Sequence, residues 1–321
     1  MNYCIESIEY YLPEKVINNE FLSNECGIDK SFLEEKVGIF ERRVALPDEP
    51  TSAMCVKAGE KLFKNSNVIK EDIGLLIVCT QNPDYRLPTT ACIVQDRLGL
   101  AKSTMAFDIN LGCSGFTYSL EIAGNFIRTG AVKKALIITA DQYSKVINYR
   151  DRATAGIFGD AAAATLLAPC DEGYGVIGSN YGTDGSGWMH LIVPNSGVAK
   201  DETRDNFLFM NGQEIFKFTV LTIPKYMNEL LAKCNIGVED FKYVVMHQAN
   251  KYMLKEMQKR MKINDEQMII DMAKFGNTVS ATIPIALKNI ISSEKLSKGD
   301  LLLFSGFGVG LSFGNVIYKY I

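Results

Sequence analysis

Apolar residues fall along this chain in two rhythms. Short runs rich in Val, Ile and Leu occupy 74–79, 134–140, 161–167, 242–247, 300–304 and 312–319. Runs of that length, apolar on both faces, predict strands of a covered sheet. Between them, apolar positions recur at helical spacing over 53–65, 89–98, 113–129, 213–223 and 249–261, which predicts helices with one buried face. The alternation of the two marks an α/β protein. No Gly/Ser/Pro-rich linker or low-complexity tract interrupts it.

One stretch echoes another without a gap. Glu71-Asp72-Ile73-Gly74-Leu75-Leu76-Ile77-Val78-Cys79-Thr80-Gln81-Asn82 aligns on Glu239-Asp240-Phe241-Lys242-Tyr243-Val244-Val245-Met246-His247-Gln248-Ala249-Asn250. Each copy reads as an acidic turn feeding a buried strand. Each is followed by a further short strand ending in aspartate, Phe107-Asp108 and Ile270-Asp271. Chance likeness between two buried strands drawn from a limited alphabet is one explanation, and duplication is the other. Under duplication, equivalent loops of the two halves meet at a shared crevice, where α/β sheets place ligands.

With 321 residues, 47% of them apolar, the chain can bury one large core or two ordinary ones. A formal charge of −3 provides no broad basic surface, which argues against nucleic acid as the main partner. Glu6 and Glu9 interrupt the stretch where a secretory signal needs an apolar run. No segment approaches the ~18 apolar residues of a membrane span, so a cytoplasmic location without a membrane partner is expected. The eight cysteines include no C-x-x-C pair, and the two histidines, His190 and His247, lack ligand spacing. No metal is expected.

Four places carry candidate chemistry. Asp108-Ile109-Asn110-Leu111-Gly112-Cys113-Ser114-Gly115-Phe116 runs from a strand through a glycine turn into a helix, with Phe116, Leu120, Ala123 and Ile127 at helical spacing and Gly130 as its stop. Cys113 is thereby expected in the first turn, where unpaired N–H groups and the helix dipole favour a thiolate. The alternative for such a cysteine is a small buried hydrophobe. His247 ends the strand 242–247 at the sheet's carboxyl edge. Asn277 lies in a polar turn ahead of an apolar helix; it can cap that helix, or its carboxamide can donate to an oxyanion. The glycine cluster from Ser305 to Gly314 joins two apolar strands, either as a tight hairpin or by presenting N–H groups to an oxyanion. It lacks the Walker lysine and hydroxyl of a phosphate loop.

Taken together and in order, Val37-Gly38-Ile39-x-Glu41-Arg42-Arg43, Leu111-Gly112-Cys113-Ser114-Gly115-Phe116, Gly156-Ile157-Phe158-Gly159-Asp160-Ala161, His247-Gln248-Ala249-Asn250, Gly276-Asn277-Thr278 and the cluster from Gly306 to Gly314 resemble the ketoacyl-acyl carrier protein synthase III family of thiolase-fold condensing enzymes. The resemblance covers essentially the whole chain. It implies a thiolase-like fold of two related α/β halves, 1–170 with Cys113 and 171–321 with His247 and Asn277, packed as alternating helix and sheet layers. It further implies that Cys113 accepts an acyl group from a thioester, while His247 and Asn277 donate hydrogen bonds to the enolate formed as a malonyl thioester loses carbon dioxide. The backbone N–H groups of Cys113 and Val309 would hold the acyl oxygen. The implied reaction is a decarboxylative Claisen condensation of an acyl thioester with malonyl-acyl carrier protein, giving a 3-oxoacyl-acyl carrier protein at the initiation of fatty acid synthesis. It needs no cofactor, since coenzyme A and acyl carrier protein thioesters are its substrates. The alternative is a specialised-pathway acyltransferase of the same fold that moves the acyl group to another nucleophile. Degradative thiolases, with a second cysteine where Ser305 stands, and elongating enzymes, with a histidine in place of Asn277, fit poorly. Papain-like proteases share the order Cys, His, Asn but not the sequence around the cysteine.

The same resemblance implies a homodimer in which the segment Tyr85-Arg86-Leu87-Pro88 reaches the partner's acyl pocket, with Leu87, Tyr143 and Phe158 as walls. Family members frame the coenzyme A entrance with a tryptophan and arginines, where this chain has Phe32, Lys36 and Tyr252 and keeps Arg152. Gln213 and Asn250 remain suited to the pantetheine arm. That combination keeps the arm's tunnel and weakens the grip on the nucleotide. Lys251, Lys255, Lys259 and Lys262 recur along the helix after His247, either as a docking ridge for an acidic carrier protein or as a plain solvated face.

Overall fold

Every apolar run identified above becomes a strand of one of two sheets. In the computed structural model, which describes residues 2–321, the first sheet holds β1 (Asn2–Tyr11), β2 (Ile73–Cys79), β3 (Met105–Ile109), β4 (Lys134–Asp141) and β5 (Ala161–Cys170), in the order β1-β5-β4-β2-β3. The second holds β6 (Gly175–Thr183), β7 (Phe241–Met246), β8 (Leu301–Gly308) and β9 (Ser312–Lys319), in the order β6-β9-β8-β7. Directions agree as well: β1, β5 and β4 pair antiparallel and β4 with β2 parallel, just as β6, β9 and β8 pair antiparallel and β8 with β7 parallel. The sheets differ at the far edge. Beside β7 there is only a parallel bridge from Met268 to Val244, so the strand expected at Ile270-Asp271 does not form. There the Gln248 side chain takes over the backbone pairing, accepting from Asp271 N–H at 2.7 Å and donating to the Ile269 carbonyl at 3.2 Å.

Among the described residues, seven helices of eight residues or more surround these sheets: α1 (Asn19–Cys26), α2 (Thr51–Asn65), α3 (Thr90–Arg97), α4 (Gly115–Arg128), α5 (Gly212–Cys234), α6 (Lys251–Met261) and α7 (Thr282–Ser292). Strand alternation divides the work. Leu76 and Val78 of β2 face outward onto Met54, Ala58 and Val94 of α2 and α3. Leu75 and Ile77 face inward onto Phe116, Leu120 and Ile127 of α4 and onto α7, whose other neighbours are Val245, Leu302 and Phe304 of the second sheet. The outer face of that sheet is closed by α5 and α6 through Ile223, Met227, Leu254 and Met257. The result is five layers, with α4 and α7 as the shared middle one. Helix α5 runs eleven residues beyond the expected end at 223, through Pro224. Proline removes one helical hydrogen bond, but buried Met227, Leu230 and Leu231 hold the later turns against the core.

The middle layer leaves little room. A Cβ on Gly124 of α4 would lie 2.1 Å from the ring of Tyr3, which is itself buried on β1. Alanine gains about 1 kcal/mol over glycine in a helix, whereas overpacking a tight core costs about 1–3 kcal/mol. Gly124→Ala should therefore lower the urea midpoint; a midpoint at or above that of the unmodified protein would show that β1 yields to the added methyl.

Candidate active site

Helix α4 begins at Gly115 with Ser114 as its cap, so Cys113 stands just ahead of the helix and not in its first turn as expected. The side chain is buried. Burial, reinforced by the nearby Asp141 carboxyl, pushes the thiol up to about 12, with a hydrogen bond from the Val309 N–H working against it. Desolvation thus outweighs the helix terminus and disfavours the thiolate that the sequence leads one to expect. Strand β8 passes very close: a Cβ on Gly306 would sit 2.8 Å from the Cys113 carbonyl oxygen, and one on Gly308 would sit 2.8 Å from Sγ. The glycine cluster forms the hairpin between β8 and β9, and its Val309 N–H meets the Cys113 sulfur.

His247 follows β7 directly and donates its N–H to the Ser305 carbonyl on β8 at 2.8 Å. Its ring is buried, with Nδ1 2.8 Å from Thr282 Oγ1. The Thr282 hydroxyl donates to the Val279 carbonyl at 3.0 Å, leaving its lone pairs for Nδ1. This network assigns the proton to Nδ1 and bares the lone pair of Nε2. Burial pushes the imidazole down to about 3, against a backbone hydrogen bond to Val279, so the ring is neutral over the ordinary pH range.

Asn277 is held by its backbone, which donates to the Ile157 carbonyl at 2.9 Å and accepts from Gly159 N–H at 3.0 Å. Its Oδ1 accepts from Val279 N–H at 2.9 Å, which turns Nδ2 toward His247 Nε2, 3.4 Å away. Val279 adopts φ +54°, a left-handed conformation costing a β-branched residue on the order of 1–3 kcal/mol. That conformation aims its N–H at Asn277 while its carbonyl receives Thr282.

Asp141 is a residue that reading the sequence missed. It ends β4, is fully buried, and accepts from Gln81 N–H at 2.8 Å and from the Ser280 hydroxyl and N–H at 2.5 and 3.3 Å. It ties the first sheet to the turn carrying Asn277. Burial pushes its carboxyl up to about 7, with the hydrogen bonds from Gln81 and Ser280 opposing. The available signal was its place, a polar residue directly after an apolar strand at the carboxyl edge.

Cys113, His247 and Asn277 line one cavity of about 380 Å³ together with Tyr143, Phe158, Gln213 and Asn250. An outer cavity of about 520 Å³ is lined by Phe32, Lys36 and Arg152. The two share Ile157, Asn250 and Tyr252, so they adjoin and together outline a passage toward the cysteine. Asn250 uses Oδ1 to cap α6 through Met253 N–H at 2.8 Å, which leaves its Nδ2 for the passage. The Tyr252 ring stacks on Phe216 at 5.5 Å. Leu87 is 84% exposed and lines neither cavity. The lysine ridge is shorter than expected. Lys251, Lys255 and Lys259 are exposed on α6, but Lys262 lies past its end in a left-handed cap, and Lys255 Nζ is 2.9 Å from Asp265. Among the described residues no three His, Cys, Asp or Glu side chains gather as for a metal ion, and no helix is long and apolar enough to cross a membrane.

Two sheets of matching order around a shared helical layer, with a buried cysteine at their seam, are the plan of the thiolase-like condensing enzymes. Comparison with known proteins narrows the class. The model of 3-oxoacyl-[acyl-carrier-protein] synthase III matches residues 107–185, and that of the C-terminal part of the same synthase matches residues 231–320. The beta-ketoacyl-[acyl-carrier-protein] synthase III of Caldanaerobacter subterraneus is 38% identical over 316 residues, 97% of this chain and 95% of that one. The synthase III of Clostridium perfringens is 40% identical over 314 residues, 96% of each chain. Among solved structures, a 3-oxoacyl-(acyl-carrier-protein) synthase III superposes with a TM-score of 0.96 at 35% identity over 100% of both chains. The Aquifex aeolicus enzyme does so with a TM-score of 0.92 at 32% identity, over 99% of this chain and 100% of that one. The chain belongs to the 3-oxoacyl-acyl carrier protein synthase III family of condensing enzymes.

The two buried titrating groups make opposite demands on pH. With the Cys113 thiol near 12, its alkylation by iodoacetamide, followed by peptide mass, should climb without a plateau from about pH 7 to 10, because only the thiolate reacts. A plateau near neutrality would mean a stabilised thiolate after all. For His247 the folded protein binds no proton until about pH 3, whereas the unfolded chain binds one near 6.5. The unfolded state therefore holds more protons in between, and stability falls as pH drops through that window. His247→Asn should lose less stability than the unmodified protein between those limits.

Proposed function

We propose that Cys113, His247 and Asn277 carry out the condensation that initiates fatty acid synthesis, joining an acyl thioester to malonyl-acyl carrier protein. The observation that carries this assignment is the meeting of the three side chains in one buried cavity at the end of a passage from the surface. In the first half-reaction Cys113 Sγ attacks the donor's thioester carbonyl, a new sulfur–carbon bond forms, and the donor's own sulfur–carbon bond breaks. The Cys113 proton passes by way of the bare Nε2 of His247 to the departing thiol. The N–H groups of Cys113 and Val309 support the oxyanion.

In the second half-reaction the malonyl carboxyl leaves as carbon dioxide, and its electron pair forms an enolate. Nδ2–H of Asn277 faces the enolate oxygen. His247 joins it as a donor once the ring gives its Nδ1 proton to water and takes one from water at Nε2, the Thr282 hydroxyl turning from the Val279 carbonyl to donate to the freed Nδ1. The enolate carbon attacks the acyl-Cys113 carbonyl, the sulfur–carbon bond to Cys113 breaks, and the released thiolate takes up a proton from water. Burial, which pushes the thiol up to about 12, favours that uptake.

The substrate and assembly readings extend this. Phe32, Lys36, Arg152 and Tyr252 frame the mouth for a carrier or coenzyme A thioester, with Gln213 and Asn250 along the pantetheine arm. A homodimer accounts for the exposure of Tyr85 and Leu87 and for β3, an edge strand whose Met105 is exposed, since an uncovered edge is a pairing surface. The two sheets, drawn from 1–170 and 171–321, fit an origin as duplicated halves.

Cys113→Ser should abolish acyl-enzyme formation, whereas Asn277→Ala should still acylate but decarboxylate malonyl thioester on the order of a hundredfold more slowly. Intact mass after exposure to acyl-coenzyme A reads the first, and carbon dioxide release the second. Acyl mass on Cys113→Ser equal to that on the unmodified enzyme would sink the assignment.

The shortened ridge yields a separate expectation. Lys255→Glu/Lys259→Glu should raise KM for malonyl-acyl carrier protein at low ionic strength, with the effect fading as salt rises. An unchanged KM at low salt would leave α6 as a solvated face only.

A further inference from the structure

Next to the cavity that holds Cys113 lies a third, of about 240 Å³. It shares Tyr143 and Leu191 with the cavity that holds Cys113. It also reaches Val309, whose N–H meets the Cys113 sulfur. An acyl group bonded to Sγ has this space ahead of it once the pantetheine arm occupies the passage. The volume is below the ~300 Å³ at which pockets for drug-sized ligands begin, so only a short chain fits.

Its lining is mixed. Val146, Ile192, Val193 and Leu208 are apolar, while Gln81, Asn82, Asn110 and Tyr143 bring polar groups to it. Gln81 lies hard against the turn before the nucleophile, since a Cβ on Gly112 would come within 2.4 Å of Gln81 Oε1. The Tyr143 hydroxyl donates to that Oε1 at 2.7 Å, which fixes the carboxamide so that Nε2 is left over. Asn82 Oδ1 is likewise occupied by Gln142 N–H at 3.1 Å. No hydrogen bond among the described residues engages Gln81 Nε2, Asn82 Nδ2 or the side chain of Asn110. The cavity therefore presents unpaired amide donors beside the acyl site and no charged side chain among its lining residues. A bare alkyl chain would strip water from those donors without replacing its hydrogen bonds, which is the basis on which polar pockets reject apolar analogues. A carboxylate would find no cation there.

We propose that the acyl group this enzyme loads onto Cys113 is short, neutral and oxygenated, carrying a hydroxyl or oxo oxygen that accepts from Gln81 Nε2 and Asn82 Nδ2, and not a simple alkyl chain. The proposal rests on the reading of Cys113 as the acyl-carrying nucleophile. Gln81 and Tyr143 are then the residues that set acyl specificity, through the hydrogen bond between them.

The test compares the rate of Cys113 acylation, followed by intact mass, from butyryl-coenzyme A and from each enantiomer of 3-hydroxybutyryl-coenzyme A, which differ by one hydroxyl. The unmodified enzyme should load one hydroxylated donor at least about tenfold faster in kcat/KM than butyryl, a modest share of the discrimination seen in fully enclosed polar sites. Gln81→Leu/Tyr143→Phe should bring that ratio to within about threefold, with the butyryl rate rising. Butyryl loading as fast as or faster than both hydroxylated donors in the unmodified enzyme overturns this inference alone. So does a double variant, folded by circular dichroism, that keeps the unmodified ratio. The unmodified comparison decides the matter if the variant fails to fold. Loading by none of the donors, in an enzyme as silent as Cys113→Ser, overturns the parent reading and this inference with it.

Discussion

The site depends on how closely β8 approaches the start of α4. Residues 306 and 308 touch the carbonyl, Cβ and Sγ of Cys113 at distances no side chain could share, so both positions must be glycine. That approach lets a helix belonging to the first sheet become the floor of the second. From it follow the shared middle layer, the entry of Val309 beside the sulfur, and the position of His247, whose N–H is bonded to β8. Widening the gap by one methyl group would part the sheets where the three side chains meet.

Around that seam the protein buries polar groups in surroundings that disfavour their charged forms. A thiol held near 12, an imidazole held near 3 and a carboxyl held near 7 all reflect desolvation in the same small volume. Their orientation is supplied by fixed donors and acceptors. Asp141 grips Ser280, Val279 orients Asn277, and Thr282 chooses the tautomer of His247. The left-handed Val279 is tolerated because its N–H and carbonyl are both engaged by the groups it aligns. Asn277, whose Oδ1 is held by Val279 N–H, is such a preorganised dipole and need not rearrange as charge develops in the cavity.

Much of this was legible beforehand. Buried strands declare themselves by continuous Val/Ile/Leu runs, and all six such runs were found. β1 and β6 were not, because β1 mixes glutamates with its apolar positions and β6 is built largely of glycine and polar residues. Helix α5 runs past the end at 223 that its apolar spacing predicts, because buried Met227, Leu230 and Leu231 hold the turns beyond Pro224. Cys113, His247 and Asn277 were legible through their neighbours: glycines around the cysteine, a strand end before the histidine, a polar turn around the asparagine.

What the sequence by itself determined is most of the inventory of elements and the candidate reactive groups Cys113, His247 and Asn277, since periodicity and local motifs are properties of nearest neighbours along the chain. Tertiary structure alone decided the charge state of those groups and their orientation. Cys113 at a helix start reads as a thiolate until the depth of burial is known, because desolvation depends on atoms hundreds of residues away in sequence. Asp141, Thr282 and Gln81 acquire meaning only through partners on other elements. A hydrogen bond across the seam between two sheets leaves no periodic trace in either strand.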